Sequence, residues 1–174
     1  MCQADNSRFS CLHEISGWES IVSRRTMKKI RLPLDAYREP HAWHIIFHSA
    51  AGERPFMDED LIENNLDILR TTADRYYLRI YAYCFMSNHL HLLVTNEFGD
   101  DIVQFVRHFK QLTAFSYRKS KKEALWQARF YDRSLESSGE IQTVFDYILG
   151  NPQAAGFDAD EERVRIGSFE FDIE

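Results

Sequence analysis

Hydrophobic and polar positions alternate along some stretches of this chain and recur every three or four residues along others. His41 to Ala50, H-A-W-H-I-I-F-H-S-A, reads as a first strand, and Ala51-Gly52 begins a turn. Asp58 is placed to cap a helix whose positive end Glu59 and Asp60 favour. Along that helix Ile62, Leu66, Leu69 and Ala73 form an apolar stripe. Two more strands, about Tyr77 to Phe85 and His89 to Thr95, are joined by Met86-Ser87-Asn88, short enough for a hairpin. Asp101 to about Lys119 is a second helix, lined by Ile102, Phe105, Val106, Phe109, Leu112 and Thr113. A polar loop, Lys119 to Glu123, precedes a last strand at Phe130 to Leu135. Ser137-Ser138-Gly139-Glu140 then opens a helix carrying Ile141, Val144, Phe145, Ile148 and Leu149 on one face.

The order β-α-β-β-α-β, followed by a further helix, predicts an α+β fold of the ferredoxin-like, split β-α-β kind. Such a fold has an antiparallel sheet with helices on one face and the other face free. Residues 1–38 show weak periodicity and read as an N-terminal arm. Residues 39–157 read as the folded domain and 158–174 as an acidic tail.

Composition narrows the class. The 174 residues are one domain's worth, and 13 Phe, 8 Tyr and 3 Trp supply a core. No apolar run approaches the roughly 20 residues of a membrane helix, and no basic segment followed by an apolar one marks a secretion signal. Cys2, Cys11 and Cys84 fit neither a disulfide framework nor a CxxC site, which points to a reducing, cytoplasmic setting.

A formal net charge of −6 argues against a general nucleic-acid binder, but its distribution argues the other way. Between Arg107 and Arg133 lie eight basic residues, namely Arg107, Lys110, Arg118, Lys119, Lys121, Lys122, Arg129 and Arg133, against two acids. Arg24, Arg25, Lys28, Lys29 and Arg31 form a second cluster. Each run is either a solvated face or a local phosphate-binding surface. Trp126 and Phe130 are candidates for stacking on unpaired bases or for the core.

The stretch Tyr81 to Val94, Y-A-Y-C-F-M-S-N-H-L-H-L-L-V, carries the most unusual side chains. His89 and His91 stand two residues apart and so share one strand face, while Leu90, Leu92 and Val94 share the other. With the leucines under the helices, the imidazoles project from the free face. Two such rings can reach one cation, with oxygen ligands or substrate completing it. The alternative is a pair of hydrogen-bonded core histidines. In the last helix, Tyr147 lies off the apolar stripe and outside what the core needs, with Asn151 one turn above it. Pro152 marks Asn151 as a terminator. A phenol and a carboxamide oxygen thus stand together at a helix end, unless they are an ordinary interfacial tyrosine and a helix-ending asparagine. Two imidazoles and an amide oxygen suit Mg²⁺ or Mn²⁺, with phosphate oxygens filling the remaining positions.

Three motifs together resemble a known family. Within Tyr83 to Val94, S-N-H-L-H-L-L-V resembles the HUH motif (His, bulky apolar, His) of single-tyrosine transposases. L-W-Q-A-R-F-Y-D-R (Leu125 to Arg133) and D-Y-I-L-G-N-P-Q-A-A-G-F (Asp146 to Phe157) resemble the branch called REP-associated tyrosine transposases, as does R-P-F-M-D-E-D (Arg54 to Asp60). HUH alone is weakly specific; the motifs in this order and spacing are strongly so. The resemblance covers residues 41–157. It implies that His89, His91 and Asn151 bind the metal and that Tyr147 is the nucleophile. In that family the tyrosine attacks single-stranded DNA to give a 5′-phosphotyrosine and a free 3′-OH. In this branch the target is a foldback hairpin of repetitive extragenic sequence. Gly150, between Tyr147 and Asn151, departs from a strong helix and costs about 1 kcal/mol relative to Ala.

The leading expectation is therefore a metal-dependent transposase or nuclease acting on single-stranded or hairpin DNA, as a monomer or homodimer. The rival is a non-catalytic hairpin or single-strand binding module that kept the fold.

Overall fold

A computed structural model describes the backbone of residues 32–98, 101–154 and 165–167, and side chains through residue 150. The basic cluster Arg24 to Arg31, most of the expected arm, most of the acidic tail and the side chain of Asn151 lie outside the described residues.

The strands are β1 (Ala42–His48), β2 (Arg79–Met86), β3 (His89–Thr95), β4 (Tyr131–Leu135) and β5 (Arg165–Gly167). The helices are α1 (Glu59–Arg75), α2 (Ile102–Lys121) and α3 (Ser138–Ala154), with short 3₁₀ turns at Ala36–Arg38, Ala50–Gly52 and Pro55–Met57. The sheet order is β4-β1-β3-β2-β5, with every neighbour antiparallel. Its first four strands follow the split β-α-β order that the element pattern predicts. β5, in the stretch expected to be an acidic tail, adds an edge strand on β2.

Local chemistry sets the helix ends. Asp58 accepts from the Leu61 amide (3.3 Å), and Asp101 from those of Val103 (2.9 Å) and Gln104 (3.1 Å). Arg118, Lys119 and Lys121 complement the carbonyl end of α2, which runs further than the sequence suggests and stops at Lys122 in a left-handed conformation (φ +58°). Lys119 to Lys121 are therefore helical, not loop.

On one face of the sheet, Trp43, Ile45, Phe47, Leu90, Leu92 and Val94 pack under α1 and α2 against Leu66, Leu69, Phe105 and Phe109. Leu112, expected to widen the α2 stripe, is 36% exposed instead. Tyr37, placed by the sequence in the arm, is buried, stacks on Trp43 and donates to Asp132 in β4. Trp126 belongs to this core and donates Nε1–H to Thr113 Oγ1 (2.8 Å), while Phe130 is half-buried against Phe47. Trp126 is therefore part of the core, and Phe130 packs at its edge with part of its ring still accessible.

The second face is not free. Ala42, Ala82, Cys84, Leu93 and Leu135 form a smaller cluster closed by Val144 and Ile148 of α3, with Ile141, Phe145 and Tyr147 at its margin. The helix returns over the sheet because the strand residues there are small and apolar. Bare sheet at that place would expose a contiguous apolar patch. Leu149, counted in the apolar face of α3, is 36% exposed.

Candidate active site

Strand register decides what lies on the second face. His48 pairs with His89 and His89 with Met86; Tyr131 pairs with Ile46, Ile46 with His91, and His91 with Cys84. Arg133, His44, Leu93 and Ala82 form the adjoining row. Because paired residues point the same way, His44 and His48 of β1 share a face with His89 and His91 of β3. The His-x-His spacing singles out the β3 pair and leaves the β1 pair unmarked. A weaker signal for β1 is present in the chain: His44, Ile46 and His48 alternate with the core residues Trp43, Ile45 and Phe47.

His91 is 3% exposed, and its Nδ1 lies 3.1 Å from Nε2 of His44, with the two rings stacked at 5.4 Å. The other ring nitrogen, Nε2 of His91, is buried and has no hydrogen-bond partner among the described residues. His89 donates Nδ1–H to Oδ1 of Asn88 (2.6 Å), since an amide oxygen can only accept, and so its Nε2 carries the lone pair. The His89 and His91 rings are 4.8 Å apart at 74°.

Burial holds these imidazoles neutral. It lowers His44 to about 4, aided by the Arg133 guanidinium, and His89 to about 4, aided by His48. Burial pushes His91 well below the ordinary histidine value, with His44, His89 and His48 adding to the effect. Neutral imidazole is the metal-binding form. An orphaned, buried Nε2 beside a second imidazole whose Nδ1 is already engaged fits a divalent cation. No three His, Cys, Asp or Glu groups converge to hold one among the described residues. Further donors must come from another residue type or from substrate.

α3 brings Tyr147 to this cluster. Its ring lies 5.6 Å from that of His91 and 6.3 Å from that of His44, both edge-on. The expectation that Tyr147 stands outside the core is corrected: it is half-buried and packs at the edge of the second cluster. Tyr131 approaches from β4, 6.1 Å from His44. The start of α3 is fixed to β4: Arg133 donates to Glu140 (2.6 Å), and Glu140 also accepts from the Glu136 amide (2.9 Å). Ser137 caps the Glu140 amide (3.2 Å). The backbone of Asn151 lies in α3 one turn beyond Tyr147, but the expected stop there is corrected: the helix runs on through Pro152 to Ala154.

Apart from Arg133, the basic residues are not part of this cluster. α2 lies on the opposite face, where Arg107, Arg118, Lys119, Lys121 and Lys122 are exposed, as is Arg129 in the following segment. Lys119 sits 4.6 Å over the ring of Phe115. Lys110 donates to the carbonyls of Gln127 (2.6 Å) and Ala128 (3.2 Å), and Arg133 holds Glu140. Lys121 and Tyr117 join Glu53, Arg54, Asp58 and Glu123 around a cleft of about 650 Å³. The loop carrying Glu53 to Asp58 covers the Ser87-Asn88 turn through Ser49 N–H to Asn88 O (2.9 Å) and Phe56 N–H to Ser87 O (3.2 Å). The basic end of α2 and the His48–His89 edge thus share one end of the sheet.

The family model described as "Transposase IS200 like" matches residues 37–151. A Haemophilus influenzae protein provisionally named a REP-associated tyrosine transposase is 26% identical over 110 residues, 56% of this chain; the chain covers 62% of that relative. The solved structure of a REP-associated tyrosine transposase bound to a REP hairpin superposes with a TM-score of 0.65 at 19% identity, covering 76% of each chain. A provisionally assigned transposase of Deinococcus radiodurans gives 0.50 at 23% identity, covering 71% of this chain and 97% of the other. Those two superpositions establish a shared fold. With the family match spanning well over half of its residues, this chain belongs to the IS200-like transposase family.

Proposed function

We propose that the protein is a metal-dependent, single-tyrosine endonuclease and strand transferase of the REP-associated branch, acting on single-stranded DNA beside a hairpin. The observation carrying this reading is the convergence of Tyr147 from α3 on His91 and His44, next to the unpartnered Nε2 of His91. His89 and His91 would hold Mg²⁺ or Mn²⁺ through Nε2, with the amide oxygen of Asn151 as a third ligand. A divalent ion bound there supplies Lewis acidity to the phosphate oxygens and offsets charge in the transition state.

The chain's own residues do the rest. Tyr147 presents its phenol oxygen to the phosphorus; the new O–P bond forms as the bond to the 3′ oxygen breaks. The phenol proton is lost to a base and the 3′ oxygen gains one, leaving a 5′-phosphotyrosine and a 3′-OH. The ester conserves the phosphodiester bond energy, so a strand can be rejoined without ATP. Arg107, Arg118, Lys119, Lys121, Lys122 and Arg129 are the proposed phosphate contacts, while Lys110 and Arg133 would act chiefly by holding the 127–128 segment and α3. A cytoplasmic location follows from this reading.

Denaturing electrophoresis of the protein mixed with labelled hairpin DNA carrying a single-stranded flank tests the proposal. Wild type with Mn²⁺ is expected to give a slow-migrating covalent adduct, lost on chelation and absent from Tyr147→Phe. Peptide mapping should place the nucleotide on Tyr147; finding it on Tyr131 would reassign the nucleophile. Hairpin binding with no adduct under any metal would mark the protein as the non-catalytic module.

A further inference from the structure

We infer that His44 is a positioning residue for the metal centre: by accepting a hydrogen bond from Nδ1–H of His91, it fixes the tautomer that leaves the buried Nε2 of His91 as a lone pair facing the site. The inference rests on the metal reading above and adds a residue to it. A neutral imidazole has one N–H, and only the bare nitrogen can ligate. His91 Nε2 has no partner among the described residues, whereas its Nδ1 is 3.1 Å from His44 Nε2. If the proton stood on Nε2, that buried donor would lack an acceptor, and the 3.1 Å contact would need His44 to donate through its own Nε2–H. With the proton on Nδ1, His91 donates to His44 and no buried N–H of its ring is left without an acceptor.

The second imidazole is arranged alike by a different device. Asn88 Oδ1 accepts a hydrogen bond from Nδ1–H of His89 at 2.6 Å. Each imidazole of the β3 pair is therefore held at Nδ1 by a neighbour, one in the hairpin turn and one on β1. Such outer partners set ring orientation and raise ligand basicity, and losing one typically weakens metal affinity 10–100-fold. His44 is itself 4% exposed, its ring plane lies within 18° of that of His91, as a ring-to-ring hydrogen bond requires, and Tyr131 and Tyr147 meet it edge-on.

The test compares wild type, His44→Gln and His44→Phe in the full chain, using two readouts independent of cleavage. Gln places an amide near the position of imidazole Nε2 and can still accept; Phe keeps ring volume and removes the acceptor. In metal-free protein, ¹⁵N–¹H correlation spectra should show His91 as the Nδ1–H tautomer in wild type and in His44→Gln, and as Nε2–H or a mixture in His44→Phe. Calorimetric titration with Mn²⁺ should give a 10–100-fold weaker Kd for His44→Phe and a near wild-type value for His44→Gln. An Nε2–H tautomer in wild type, or wild-type Mn²⁺ affinity in His44→Phe, overturns the inference. A wild type that shows the Nδ1–H tautomer and its loss in His44→Phe, yet takes up no Mn²⁺, supports the hydrogen bond and refutes the metal reading instead. Circular dichroism of each variant guards against misfolding. If His44→Phe fails to fold, His44→Gln decides: an Nε2–H tautomer of His91 there, with Mn²⁺ affinity unchanged, overturns the inference.

Discussion

At the scale of the residue, two buried imidazoles and a half-buried third are held neutral by desolvation, and this links the site to acid stability. His44 and His89 titrate near 4 in the folded chain against about 6.5 when unfolded. The unfolded state therefore binds more protons as pH falls between those values. Stability is fully present above about 6.5 and is lost progressively as pH drops toward 4. Chelator-treated protein should show falling urea midpoints from pH 7 to pH 5, a window above the range of ordinary carboxylates. A flat profile there would mean the rings are solvated. The β3 histidines are legible in the sequence because a two-residue spacing fixes a strand face without any knowledge of neighbours. His44 is not, since its role depends on the β1–β3 register, which places it diagonally across from His91, and nothing local encodes that pairing.

At the scale of the element, α3 carries the conflict between local propensity and position. Its Gly150 lies one residue short of Asn151, and a Cβ built there meets nothing within 4 Å. Gly150→Ala should therefore raise stability by about 1 kcal/mol in urea denaturation through helix propensity alone. A loss of stability would show that the turn needs glycine's freedom. The amphipathic stripe, the Ser137–Glu140 start and the capping aspartates Asp58 and Asp101 are all readable, because each is decided within four residues of chain. What the stripe packs against is not readable. The pattern of α3 says that one face is buried, and says nothing about which sheet face receives it; the small residues Ala82 and Cys84 are the cue. β5 escapes a sequence reading because three residues, Arg165–Gly167, are too short for periodicity to register.

For the molecule as a whole, the acidic balance and the basic end of α2 make salt the diagnostic variable. Lys119, Lys121 and Lys122 are exposed and lie together at that end, near the histidine edge of the sheet. A triple substitution to Ala should reduce the slope of log K against log salt by about 2 for a single-stranded ligand, at roughly 0.7 per lost contact. An unchanged slope would remove this end of α2 from the interface, while the adduct assay would still report on Tyr147. The cluster of rings has a further consequence for how the protein is made. It joins His44, His91, Tyr131 and Tyr147, from opposite ends of the described chain, on a sheet whose β1 waits for β4 to pair with it. Synthesis proceeds from the N-terminus, and such long-range pairings form late. A ribosome-bound nascent chain can expose the two β3 histidines well before it holds the tyrosine helix, so the proposed nuclease stays harmless to DNA until the α3 segment has been made and has docked.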